Sequence, residues 1–153
     1  MGLNPLHLKQ KSAIRLISSS KYNAHTGPLF LANKILPLFS LIEAQKAKFM
    51  HSHTYETLPS SLLNTWTKNR NRQEQLLRNE DDYDIPFART DATSLLPLSN
   101  FPRIWNALPS EVSSTRSKNV FSNSLYSHYL NILLLSPPCT RLLCPVCHLQ
   151  QLN

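Results

Sequence analysis

The chain has 153 residues, enough for one domain or for a smaller core with tails. Apolar residues make up 41%, and 11 prolines stand against 2 glycines, which points to short helices with hard stops and excludes a glycine-rich phosphate loop or dinucleotide fingerprint. Sixteen Lys and Arg outnumber nine Asp and Glu for a net charge of +7, which favours an acidic partner, nucleic acid ahead of an anionic membrane surface.

In chain order, a first helix is expected over residues 6–18. Leu6, Ala13, Ile14 and Ile17 give it an apolar side, and Lys9, Lys11 and Arg15 a basic one. Ser18-Ser19-Ser20 ends it, and Thr26 is placed to cap a short second helix running to Lys34, with Pro28 in its first turn. Pro37 opens the strongest helical pattern, to about Tyr55, with Leu38, Leu41, Ile42 and Phe49 as the buried stripe and Glu43 and Lys46 outward. His51 and His53 are two apart, on different sides of that helix. They are therefore expected as exposed or C-terminal helix histidines rather than a chelating pair.

Leu58 to Leu63 reads as a turn and a short helix ending near Trp66. Lys68, Arg70, Arg72 and Arg78 then give way to Glu80, Asp81, Asp82 and Asp84 with few apolar residues, so 67–94 is expected as a solvated loop or disordered linker. In the next segment Phe101, Ile104, Trp105 and Leu108 share one face at helical spacing, and Pro102 and Pro109 bracket about two turns of helix. Trp105 is the expected anchor, because its indole buries a large area. Ser114 or Ser117 can cap a last helix, Lys118 to Leu134, striped by Val120, Phe121, Leu125, Tyr129 and Ile132.

The resulting fold class is mainly α: a small irregular helical assembly with a disordered central linker and a flexible Cys-rich tail. Composition divides it into a basic helical segment (1–66), the polar linker (67–94), the Trp105 segment with the C-terminal helix (95–135) and a Cys/His tail (136–153). No signal peptide is visible and the longest apolar run, Leu130 to Leu135 with Asn131 inside it, is too short to span a bilayer, so an intracellular, nuclear or cytoplasmic chain without membrane contact is expected. Three cysteines confined to 139–147 point to a reducing compartment.

Site chemistry is concentrated in the tail. Cys144-Pro-Val-Cys147 has knuckle spacing, and Cys139 with His148 can complete a Cys3His set for zinc, although His148 abuts Cys147 and strains a single-site chelate. The same Cys144-x-x-Cys147-His148 order fits c-type haem attachment, which requires an export signal and an enclosing core that nothing in the chain suggests. Lys9, Lys11, Arg15, Lys68, Arg70 and Arg72 can contact phosphates of RNA or DNA in a sequence-independent, salt-sensitive way, or can simply be solvated faces. Tyr22, Tyr83 and the two tryptophans do not interleave regularly with base and define no stacking platform. No pattern supports a nucleophilic triad, and a small-molecule substrate is not expected.

Several phrases follow one another in a telling order: Gln-Lys-x-Ala-Ile-Arg-Leu-Ile (10–17), His-Thr-x-Pro-Leu-Phe (25–30), Lys-Ile-Leu-Pro-Leu (34–38), Lys-Phe-Met (48–50), Leu-Pro-Ser-Ser (58–61), Phe-Pro-Arg-Ile-Trp-Asn-Ala-Leu-Pro (101–109) and Ser-Lys-Asn-Val-Phe (117–121). Over about residues 9–148 the chain resembles the region that follows the reverse transcriptase domain in LINE-type retrotransposon polyproteins. The resemblance implies a non-catalytic part of an RNA-directed DNA polymerase, with the rest of the polyprotein as partner, and it favours the zinc reading of the tail. The polymerase's aromatic-x-Asp-Asp hairpin is absent: Asn79 stands where the aromatic belongs before Asp81-Asp82, and the flanks are charged.

Overall fold

The computed structural model describes residues 3–69 and 81–135. The described chain is mainly helical, with helices α1 (Asn4–Ile17), α2 (Thr26–Ala32), α3 (Leu38–Thr54), α4 (Ser60–Leu63), α5 (Asp91–Ser94), α6 (Pro97–Asn106), α7 (Ser110–Ser113) and α8 (Lys118–Leu135). Among the described residues the only β-type pairing is an isolated antiparallel bridge between Lys68 and Tyr83. These residues form two compact units, one within 3–42 and 126–135 and the other within 43–69 and 81–125. No helix is long and apolar enough to cross a membrane among them.

In the first unit Ile14, Phe30 and Leu36 form the buried centre, joined by Tyr129 of α8. Gln10 links two elements. Its Nε2 donates to the Leu36 carbonyl at 3.0 Å, and its Oε1 accepts from the Leu38 N–H at 2.7 Å. Leu38 opens α3, where a backbone N–H has no partner within the helix, so the Gln10 amide caps α3 from a distance. Asn33 likewise donates to Leu29 of its own helix and to the Ser18 hydroxyl beyond α1. The Tyr126 hydroxyl donates to the Lys34 carbonyl.

The apolar side expected for α1 is mostly outside this core. Ile14 is buried, whereas Leu6, Ala13 and Ile17 are exposed. Thr26 is not a cap but the first residue of α2, itself buried, with His25 at the N-cap position and making no side-chain cap. Pro28 is then the third helical residue, still within the turn whose N–H groups lack intrahelical acceptors.

The second unit is built on an aromatic cluster. Trp66 stacks on Phe101 with centroids 6.1 Å apart, and Phe49 meets both edge-on at 5.8 and 5.6 Å. Met50, Ala47, Phe121 and Leu125 are fully buried. The stripe expected on α3 is corrected here: Ala44, Ala47 and Met50 are buried, while Leu41 is exposed and Leu38, Ile42 and Phe49 are half-buried. Periodicity located an apolar face, but the opposite side, where two alanines allow close approach and Met50 fills the space, is buried more deeply. Lys46, expected outward, is half-buried and donates to Asn100 Oδ1 at 2.6 Å.

The Trp105 helix also starts earlier than its prolines suggest. Pro97 opens α6 and Pro102 lies inside it, its ring among the most buried side chains of the protein. Pro102 removes one helical hydrogen bond, to the Leu98 carbonyl, and burial of its ring offsets that loss. Trp105 is buried as expected, and Phe101, Ile104 and Leu108 are half-buried. On α8, Phe121, Leu125 and Tyr129 are buried, while Val120 and Ile132 are exposed. The Ser117 carbonyl accepts the first bond of that helix, from the Phe121 N–H.

Three helices end in the same way. Ser19, Lys34 and Glu56 hold φ of 49°, 50° and 55°. After α1, the Ser19 N–H bonds to the Leu16 carbonyl and the Ser20 N–H to that of Arg15; Lys34 with Ile35 and Glu56 with Thr57 repeat the pair of bonds after α2 and α3. Each is a Schellman cap in which glycine would fit without strain. In a chain with 2 glycines, neither at these positions, ordinary residues carry the left-handed conformation. Ser19→Gly is therefore expected to raise stability by about 1 kcal/mol, read as a higher urea midpoint by circular dichroism; a lower midpoint would contradict the strain argument.

Candidate functional site

The residues singled out by sequence lie in different places. Lys9, Lys11 and Arg15 are on α1; Lys9 is exposed and the other two are half-buried. Arg15 Nε donates to the Ala24 carbonyl at 2.9 Å, so its guanidinium lies against the turn that follows α1. Lys68 belongs to the other unit, where its Nζ sits 3.9 Å from Asp81 and 5.9 Å from the Tyr83 ring centroid. Arg70, Arg72, Cys139, Cys144, Cys147 and His148 lie outside the described residues. Among the described residues no three His, Cys, Asp or Glu side chains are grouped to hold a metal ion.

Charge divides along the same boundary as the compact units. Residues 1–42 and 126–135 contain five Lys and Arg and no Asp or Glu. All nine acids fall within 43–125, alongside ten Lys and Arg. The first unit therefore offers a polyanion positive charge with no carboxylate to repel it, while the second is close to neutral.

His51 and His53 are the largest departure from the sequence expectation. They are 3% and 7% exposed, not surface groups. His51 stacks on Phe121 with centroids 4.2 Å apart, and its Nε2 is 2.8 Å from the Thr115 carbonyl, to which it donates. His53 uses both nitrogens: Nε2 donates to the Leu63 carbonyl at 2.9 Å, and Nδ1 is 2.9 Å from the Tyr83 hydroxyl. With Nε2 carrying the proton of a neutral ring, Nδ1 accepts from Tyr83, whose oxygen lies 2.9 Å from the Thr54 hydroxyl.

Burial lowers the pKa of both histidines, more than the carbonyl hydrogen bonds raise it, and lowering by Lys118 at His51 and by Lys68 at His53 adds to this. At His53, Glu56 acts in the opposite, raising direction. Burial also raises the Tyr83 pKa, so its phenol stays protonated at neutral pH.

Tyr83, weighed in the sequence only as a stacking ring, is thus a core residue of the segment read as linker, only 3% exposed. Asn106 grips its backbone on both sides, accepting from the Tyr83 N–H at 3.1 Å and donating to its carbonyl at 2.9 Å. The signal was slight: one aromatic among acids, and an amide next to the anchoring Trp105. The trio His53, Tyr83 and Thr54 commits its protons to internal bonds, so what it can do is hold α3, the end of α4 and the 81–84 segment together. Compared with family models, curated proteins and solved structures, the chain matches none.

Two outcomes follow. Each histidine has a folded pKa below its unfolded value, so the unfolded state binds more protons as the pH falls below about 6.5. The urea midpoint read from Trp66 and Trp105 fluorescence should hold above neutrality and fall on acidification through that window; an unchanged midpoint down to pH 5 would refute neutral burial. Asn106→Ala leaves the Tyr83 backbone unpaired and should cost about 1–3 kcal/mol, whereas a loss within error would show that water replaces the clamp.

Proposed function

We propose that this chain is a non-catalytic C-terminal part of a LINE-type reverse transcriptase polyprotein that works as a helical scaffold with sequence-independent affinity for RNA or DNA. The observation that carries the binding half of this reading is the unit of 1–42 with 126–135, which holds five cations and no carboxylate. Phosphate binding of this kind needs only positive charge facing the backbone, without a dedicated pocket.

The phrases behind the resemblance support the scaffold half, because they supply packing rather than chemistry. Gln10 and Leu38 share a cap, Phe30 and Leu36 are core residues of the first unit, and Met50, Trp105 and Phe121 are core residues of the second. Asp81-Asp82 precedes Tyr83, whose bridge partner is Lys68, and its sequence flanks are charged rather than the apolar runs of a polymerase hairpin.

The test is anisotropy of a short labelled RNA titrated with the full chain over a range of salt. Neutralising three or four phosphates predicts a slope of log K against log salt of about −2 to −3. Absence of binding at low salt would sink the proposal.

A further inference from the structure

Positive charge alone does not distinguish a duplex from a single strand, since both present phosphates. An accessible aromatic ring does, because bases in a duplex are already stacked on one another and only an unpaired base can lie on a side-chain ring. Two aromatic rings are almost wholly exposed, Tyr22 and Phe87, and Phe87 lies in the stretch 43–125 that holds all nine acids, where a phosphate backbone is repelled. Tyr83, Trp66 and Trp105 are core residues, whereas Tyr22 is 90% exposed.

Tyr22 stands on a turn held from both sides. The Ala24 N–H bonds to the Lys21 carbonyl at 2.9 Å, closing the four residues 21–24. Arg15 Nε donates to the Ala24 carbonyl at 2.9 Å, fixing the end of that turn to α1. The Schellman cap at Ser19, with the Ser20 N–H on the Arg15 carbonyl at 2.9 Å, sets the direction in which the chain leaves the helix. The ring is thus carried by a pinned backbone, which reduces the ordering cost of binding. Lys21, next to it, is exposed, the Arg15 guanidinium lies at the base of the turn, and no carboxylate occurs anywhere in residues 1–42.

We propose that the Arg15–Lys21–Tyr22 turn is a binding site for single-stranded nucleic acid, with Tyr22 stacking on an unpaired base and the two cations holding the flanking phosphates. This rests on the nucleic-acid reading above and adds to it a place and a strand preference. It explains why the aromatics do not interleave with base along the chain: one ring is enough when tertiary bonds bring a distant arginine to it.

The experiment compares labelled oligo-dT and oligo-rU with a blunt duplex of equal length, all at one salt concentration, using the full chain and its Tyr22→Ala, Tyr22→Phe and Lys21→Gln variants. Tighter binding of the single strands is expected. Tyr22→Ala should weaken that binding by about five-fold or more, leave duplex binding unchanged, and be rescued by Tyr22→Phe, which keeps the ring face. Lys21→Gln should reduce the salt slope on single strands by about 0.7. Equal affinity of wild type and Tyr22→Ala for single strands, or tighter binding of the duplex, would overturn the site while leaving a general affinity for nucleic acid in place. No binding of any of these probes by the wild type would overturn both proposals.

Discussion

The His53 imidazole has two ring nitrogens, and the second unit is arranged so that each meets a partner from a different segment. The Leu63 carbonyl, at the end of α4, accepts from the ring N–H on one side, and the Tyr83 hydroxyl, from the segment before α5, donates to the other nitrogen. Around this ring Trp66 approaches edge-on at 5.2 Å. A protonated ring in that setting would place a charge among aromatic groups, and the surrounding helices exclude the water that would stabilise it. Neutrality of His53 is therefore a condition of the packing. Two turns of sequence that share no pattern, 58–63 and 81–84, are held to one helix through this side chain, with Thr54 beside it on the Tyr83 hydroxyl.

His51 obeys the same constraint on another face of α3. It lies between Tyr55 and Phe121 and donates to Thr115 just before α8. Tyr55 adds a hydroxyl bond to the Ser114 carbonyl at 3.0 Å. The C-terminal half of α3 thus carries polar groups on several sides, each matched to a carbonyl or hydroxyl that other elements leave unpaired. Such matching lets one helix hold α4 and the chain that leaves α7, helices of four residues each that cannot stand on propensity alone.

The first unit follows a different economy. Its side-chain bonds go mostly to backbone at helix ends: Gln10 at the start of α3, Asn33 near the end of α2, Arg15 at the turn after α1. Because amides and one guanidinium do this structural work, no carboxylate is needed, and the lysines are left for solvent or for a polyanion. The exposed Tyr22 and Lys21 are a by-product of how α1 is capped, and that geometry is what turns a diffuse charge into a candidate site.

Sequence alone determined the helical class, the approximate ends of α1, α3 and α8, the burial of Trp105, Phe121, Leu125 and Tyr129, and the basic character of α1. These depend on local periodicity, on proline and on the net count of charges, all of which are written along the chain. It could not determine which face of α3 turns inward, since that helix has large apolar residues on one side and Ala44, Ala47 and Met50 on the other, and close packing chose between them. It could not show that Pro102 is an interior helical residue, because burial of the ring outweighs the local preference. Nor could it reveal His51, His53 and Tyr83 as core groups: a polar residue is buried when a partner arrives from elsewhere, and Thr115, Leu63 and Asn106 are brought to them only by the tertiary fold.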